Sequence, residues 1–213
     1  MDPPGVVVLR GAAVRGLLTT LRDKASTQAA FVHAADRLCH LLAEEALATM
    51  PVVEVRVLSP CGWFDGVRTL DGSELCIVDI MRSGGILLEA VRRLAPTAKT
   101  AKILIQRDEA TALPTLLYSK LPPRVTELQV LLCDPMLATG GSALTAVRVL
   151  LAAGVPEERI VFANVVCCPE GLAHLRLHAP LVRVITCAID ECLNEEKYIV
   201  PGLGDFGDRY YGT

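Results

Sequence analysis

The run Asp134-Pro135-Met136-Leu137-Ala138-Thr139-Gly140-Gly141-Ser142 has the composition of an anion-binding turn. It leaves an apolar stretch, Leu128 to Cys133, and opens a helical pattern that reaches about Ala153. The first N–H groups of a helix have no internal partner, and the macrodipole places partial positive charge there. Ala138, Gly140 and Gly141 are small enough to let backbone approach a phosphate closely. Thr139 and Ser142 add hydroxyl donors. Asp134 is the odd member, because a carboxylate beside an anion repels it unless it faces sugar hydroxyls or a cation. The residues therefore read as a sugar-phosphate site, or as a plain strand-to-helix turn capped by Ser142. A Walker-type loop is disfavoured, since no Lys follows the glycines, and the G-x-G-x-x-G dinucleotide fingerprint is absent.

A second anion turn is legible at Met81-Arg82-Ser83-Gly84-Gly85, where a guanidinium fork stands beside glycine backbone. Residues 107–123 form a polar excursion with Pro114, Pro122 and Pro123. That length inside a compact domain predicts a lid, or a surface hairpin with Thr115 to Tyr118 as one arm. The tail segment Tyr198 to Asp208 contains Pro-Gly-Leu-Gly, a backbone able to present C=O and N–H groups edge-on to a flat neutral base. His174 and His178 are spaced i,i+4. With no third ligand in view they read as solvated surface, and no metal ligand is assigned.

The elements that must position these residues follow from periodicity. Thr27 or Ser26 predicts the start of a long helix to about Met50, with Phe31, Ala34, Ala35, Leu38, Leu41 and Leu42 on its apolar face. Residues 52–58 alternate like a half-buried strand, and 59–73 read as a loop or hairpin. Short, largely apolar strands are predicted at 76–80, 102–106, 128–133, 160–166 and 181–187, separated by helices at 86–94, 142–153 and 170–177. That alternation predicts an α/β fold with a parallel sheet covered on both faces. Ligands of such sheets bind beyond the carboxyl ends of the strands, where loops 81–85, 107–123 and 134–142 all emerge.

Composition sets outer limits. The 213 residues are 52% hydrophobic and 21% charged, which suits one folded domain and excludes global disorder. Lys+Arg 21 against Asp+Glu 24 gives a net charge of -3, which argues against a general nucleic-acid binder. No apolar run reaches the ~18 residues of a membrane span, and Met1 to Arg10 lacks the pattern of a secretory signal. The cysteines lie mostly in apolar strings, which predicts reduced structural thiols in a reducing compartment, the cytoplasm.

The strand followed by Asp-Pro-Met-Leu-Ala-Thr-Gly-Gly-Ser resembles the phosphoribosyl-pyrophosphate (PRPP) loop of type I phosphoribosyltransferases. Its Asp-Pro form is similar to the uracil phosphoribosyltransferase family. Tyr198-Ile199-Val200-Pro201-Gly202-Leu203-Gly204-Asp205-Phe206-Gly207-Asp208 resembles that family's uracil-binding segment. So do Leu21-Arg22-Asp23-Lys24 and Gln106-Arg107-Asp108-Glu109 at their places, so the likeness spans about 17–213, with 1–16 poorly matched. The resemblance implies a parallel-sheet core with a mobile β-hairpin hood at 107–123 and a base-binding tail at 190–213. It implies conversion of uracil and PRPP to UMP and diphosphate. Asp134, Arg82 and Asp205 are the expected catalytic residues, and Arg82, Arg107, 134–142 and Asp205 the expected PRPP contacts. Ile199, Gly204, Asp205 and Phe206 are expected at uracil. The family further implies Mg²⁺ held mainly by substrate pyrophosphate and water, a homodimer or homotetramer, and activation by GTP. A nucleotide-sensing regulator of the same fold, or a sister transferase acting on a purine, are the alternative expectations.

Overall fold

The computed structural model describes residues 2–107 and 114–213. In chain order the elements are β1 (Val6–Val8), α1 (Ala12–Arg22), α2 (Gln28–Ala48), β2 (Val53–Ser59), β3 (Gly62–Arg68), β4 (Leu75–Met81), α3 (Gly84–Leu94), β5 (Lys99–Arg107), β6 (Pro114–Lys120) and β7 (Gln129–Cys133). Then follow β8 (Met136–Leu137), α4 (Gly141–Ala152), β9 (Ile160–Cys167), α5 (Pro169–His178), β10 (Arg183–Ile189), β11 (Cys192–Leu193), β12 (Ile199–Val200) and α6 (Phe206–Tyr211).

One sheet runs β1-β10-β9-β7-β4-β5-β6, with β8 paired to β9. Its pairings are parallel except β5 with β6. The largely apolar strands β4, β7 and β9 lie at its centre because both faces are covered. Successive side chains point to opposite faces. Leu75, Ile77 and Leu131 therefore join α1, α2 and α3 on one side, while Cys76, Val78, Ile80, Val130 and Leu132 join α4 and α5 on the other. Thr27 caps α2 as predicted, its hydroxyl oxygen accepting from the Ala30 N–H. That helix buries Phe31, Ala34, Ala35, Leu38, Cys39 and Leu42, close to the predicted stripe; Leu41 instead faces outward.

The parallel-sheet α/β core expected from the sequence is present, and the sheet is wider than the five strands predicted. The short β1 and β8 escaped notice because two or three residues carry no periodic signal. Residues 53–59 do form a strand, but not a half-buried one: β2 and β3 make a separate hairpin, and Val53, Leu58, Trp63, Phe64 and Val67 are exposed. Alternation identifies a strand without saying what covers it. The eight cysteines are all free and six are buried. Burial pushes the Cys39 and Cys76 thiols up to about 12, so they act as small apolar groups. Among the described residues no helix is long and apolar enough to cross a membrane.

Candidate active site

The turn from β7 to α4 lies at the carboxyl edge of the sheet, where open α/β sheets bind ligands. Asp134, Thr139, Gly141 and Ser142 are partly exposed there, while Pro135, Leu137, Ala138 and Gly140 are buried beneath them. The turn is thus reachable from solvent but anchored in the core. Gly140 opens α4 with φ 80°, a left-handed conformation that favours glycine. A Cβ there would also stand 2.9 Å from the Gly171 carbonyl oxygen. Ser142 lies in the first turn of α4 rather than capping it, as the sequence allowed; Gly140 holds the cap position.

The Arg82 turn is built against the phosphate turn. A Cβ on Gly84 would lie 2.3 Å from the Cys133 carbonyl oxygen, so glycine is what lets the N-terminus of α3 rest on the residue before Asp134. Below this turn the Asp79 carboxylate is buried and accepts from Lys102 Nζ at 2.8 Å. Arg82 is exposed and reaches across to the C-terminus. Its guanidinium donates to Asp208 Oδ1 at 2.5 Å and to Thr213 Oγ1 at 3.0 Å, and lies 5.8 Å from the Tyr211 ring centroid. The Arg82 hydrogen bond, with that of Thr213, holds the Asp208 carboxyl below its ordinary value, and Asp208 in turn raises Arg82.

The tail is tied to the N-terminal helices by polar links, most of them part-buried. Arg22 donates to both Asp190 oxygens at 2.8 and 2.6 Å and to the Gly202 carbonyl at 2.8 Å, while the Gly202 N–H donates to Asp190. Arg209 donates to the carbonyls of Leu21, Leu203 and Asp23, and its guanidinium lies 4.4 Å over the Phe31 ring. Asp205 caps α6 by accepting from the Asp208 N–H at 2.8 Å. Gly204 and Asp205 are exposed. Ile199 and Phe206 are instead buried in the core, Phe206 edge-on to Phe31 at 5.4 Å, so their side chains support the tail rather than open onto the cleft.

The predicted site residues thus sit on three segments that meet: Arg82 touches the tail helix, and its turn touches the strand leading to Asp134. Arg107 ends β5, but its side chain and residues 108–113 lie outside the described residues, so only the far arm of the predicted hood is seen. That arm, β6, brings Pro114 within 3.3 Å of a Cβ placed on Gly141, at the mouth of the phosphate turn. Sequence reasoning missed Asp190, Arg209, Asp79, Lys102 and His174. Each depends on a partner far along the chain, which spacing does not reveal. His174 is no solvated bystander: its Nδ1 lies 2.8 Å from the Thr139 carbonyl oxygen. Chemically, the turn behind Asp134 offers helix N–H groups, and the neighbouring turn offers the Arg82 guanidinium beside the Asp208 carboxylate. The assembly can bind a polyanionic sugar at two turns and hold a further group against Gly204.

A family model described as uracil phosphoribosyltransferase matches residues 8–213. The uracil phosphoribosyltransferase of Dictyostelium discoideum is 47% identical over 99% of this chain and 98% of its own length. The AQ2163 protein of Aquifex aeolicus shares the fold with a TM-score of 0.85 at 30% identity, covering 98% of both chains. An adenine phosphoribosyltransferase of Trypanosoma brucei, solved with AMP, pyrophosphate and ribose-5-phosphate, is similar in fold alone, at TM-score 0.59 and 12% identity over 95% of this chain and 89% of its own.

Proposed function

The chain belongs to the uracil phosphoribosyltransferase family, and from that premise we propose that it joins uracil to PRPP, releasing UMP and diphosphate. The observation that carries this reading is the convergence of three segments: the amide-rich turn behind Asp134, the Arg82 turn packed on Cys133, and the tail helix bonded to Arg82.

The 5′-phosphate sits in 138–142, on helix N–H groups and the hydroxyls of Thr139 and Ser142. Pro135, Met136 and Leu137 carry the turn from the strand to that cradle. Arg82 and Arg107 neutralise the pyrophosphate as it leaves. Asp134 holds the ribose hydroxyls and favours the positive charge that develops at the anomeric carbon. Gly204 and Asp205 present the tail backbone to uracil, while Ile199 and Phe206 form the packed floor beneath it. β6, at the mouth of the phosphate turn, is one arm of a cover over the donor that keeps out water that would hydrolyse it.

Among the described residues no cluster of three potential ligands could cage a metal. On this reading Mg²⁺ would be held chiefly by pyrophosphate oxygens and water, with the exposed Asp205 carboxylate as the protein's contribution. When bound, the ion neutralises charge on the departing pyrophosphate. The same reading makes the protein a cytoplasmic homodimer or homotetramer. Free, mostly buried cysteines support the first part, and the apolar side chains exposed on β2 and β3 support the second. Activation by GTP rests on the family alone.

A base-competition assay tests the assignment. With PRPP and Mg²⁺, uracil should be converted to UMP while hypoxanthine and guanine remain. Purine nucleotide as the main product, or uridine-nucleotide binding without turnover, would overturn it.

A further inference from the structure

Three consecutive carbonyls of the phosphate turn face a single stripe of α5. The Leu137 oxygen accepts from the Cys168 N–H at 3.3 Å, and the Ala138 oxygen lies 3.1 Å from the Cys168 thiol. The Thr139 oxygen lies 2.8 Å from His174 Nδ1. Between them, Gly171 leaves room for the backbone: a Cβ there would stand 2.3 Å from the Ala138 oxygen and 2.8 Å from the Leu137 oxygen. Residues 168, 171 and 174 recur at a spacing that puts them on one helical face.

A peptide unit is planar and trans, so a carbonyl fixed in one direction fixes the following N–H in the opposite one. With the carbonyls of 137, 138 and 139 turned onto α5, the N–H groups of Ala138, Thr139 and Gly140 point away from it. The 139–140 peptide is the one most in need of a lock. Gly140 has no Cβ and populates both signs of φ readily, so a flip of that peptide meets little steric resistance. We infer that His174 is a positioning residue for the sugar phosphate, holding the Thr139 carbonyl so that the Gly140 N–H stays aimed at the ligand. A carbonyl only accepts, so Nδ1 is the nitrogen that carries the proton. His178 packs edge-on to His174, ring centroids 5.3 Å apart, and restrains the ring plane.

The inference rests on the reading that this turn takes the 5′-phosphate of PRPP. Steady-state kinetics of His174→Ala and His174→Asn test it, because the Asn amide nitrogen stands at the same bond distance from the backbone as Nδ1. His174→Ala should raise KM for PRPP roughly five- to ten-fold, the worth of one hydrogen bond to the site, with KM for uracil and the unfolding midpoint nearly unmoved. His174→Asn should restore the parent KM to within about two-fold. A parental KM for PRPP in His174→Ala, or an Asn variant as poor as the Ala variant, would overturn the inference. A ¹⁵N spectrum of the parent gives a second readout that needs no variant: a protonated, hydrogen-bonded Nδ1 at His174 is expected, and an unprotonated one contradicts it. A parent that fails to turn over uracil with PRPP sinks the functional reading itself, whereas an active parent with an unaffected His174→Ala variant sinks only the brace.

Discussion

The two turns proposed to bind anions would meet the same electrostatic problem with different materials. The turn at 134–142 uses backbone. Its Ala138 and Thr139 carbonyls are held from below by Cys168 and His174, which leaves N–H dipoles with little freedom to reorient as the groups it would offer a phosphate. The turn at 82–85 uses a side chain: the Arg82 guanidinium is exposed and is satisfied by Asp208 and Thr213. A fixed cradle suits a phosphate that is present in both substrate and product. A long side chain with an exchangeable partner suits a pyrophosphate that must arrive and then leave. Both turns nevertheless share a floor of close backbone contact, at Gly171 for one and Gly84 for the other.

The contrast is broken most severely at that floor. Gly171→Ala would drive a Cβ into two carbonyl oxygens, so activity should vanish and stability should fall by about 2–4 kcal/mol in denaturant unfolding. Gly16, also inside a helix, faces open space, and Gly16→Ala should stabilise by about 0.5–1 kcal/mol with unchanged kinetics. Next in size is Asp134→Asn, which, on the role proposed for its carboxylate at developing charge, should lower kcat by about a hundred-fold while leaving unfolding untouched. Near-normal turnover would remove that role.

Arg82→Ala should act on binding, raising KM for PRPP by about 10- to 100-fold, the range for a charge-assisted hydrogen bond. Asp208→Asn should have the smallest effect. Its carboxyl is held below the ordinary value in the folded protein, so its contribution is present above the unfolded carboxylate pKa, about 4, and is lost as pH falls through the lowered one. Unfolding midpoints of the parent and Asp208→Asn, measured from neutral to acid pH, should converge at the acid end. Curves that stay parallel throughout would show that the Arg82–Asp208 link adds no stability.

Legibility in the sequence followed the same division. Backbone devices announce themselves, because Gly140-Gly141, Gly84-Gly85 and Pro201-Gly202-Leu203-Gly204 can be read as local strings of small and turn-forming residues. The central strands were equally plain, since burial on both faces demands largely apolar runs. Links that depend on distant partners were not legible. Arg22 and Asp190 lie 168 positions apart in the chain, and Arg82 and Asp208 lie 126 apart. The composition of each segment gives no hint of the other. His174 was misread for a related reason. On α5 alone it pairs with His178 as a surface patch, and only the return of the phosphate turn beside the helix supplies its acceptor. Phe206 shows the limit of motif reading: it was expected at uracil, yet its ring is committed to Phe31 in the core.

A crystal of the protein soaked with UMP tests the central claim directly. The phosphate should lie on the N–H groups of 138–142 with Asp134 at the ribose, and the pyrimidine should meet the backbone around Gly204 and Asp205. Nucleotide bound elsewhere, or a phosphate that leaves those N–H groups untouched, would contradict the account.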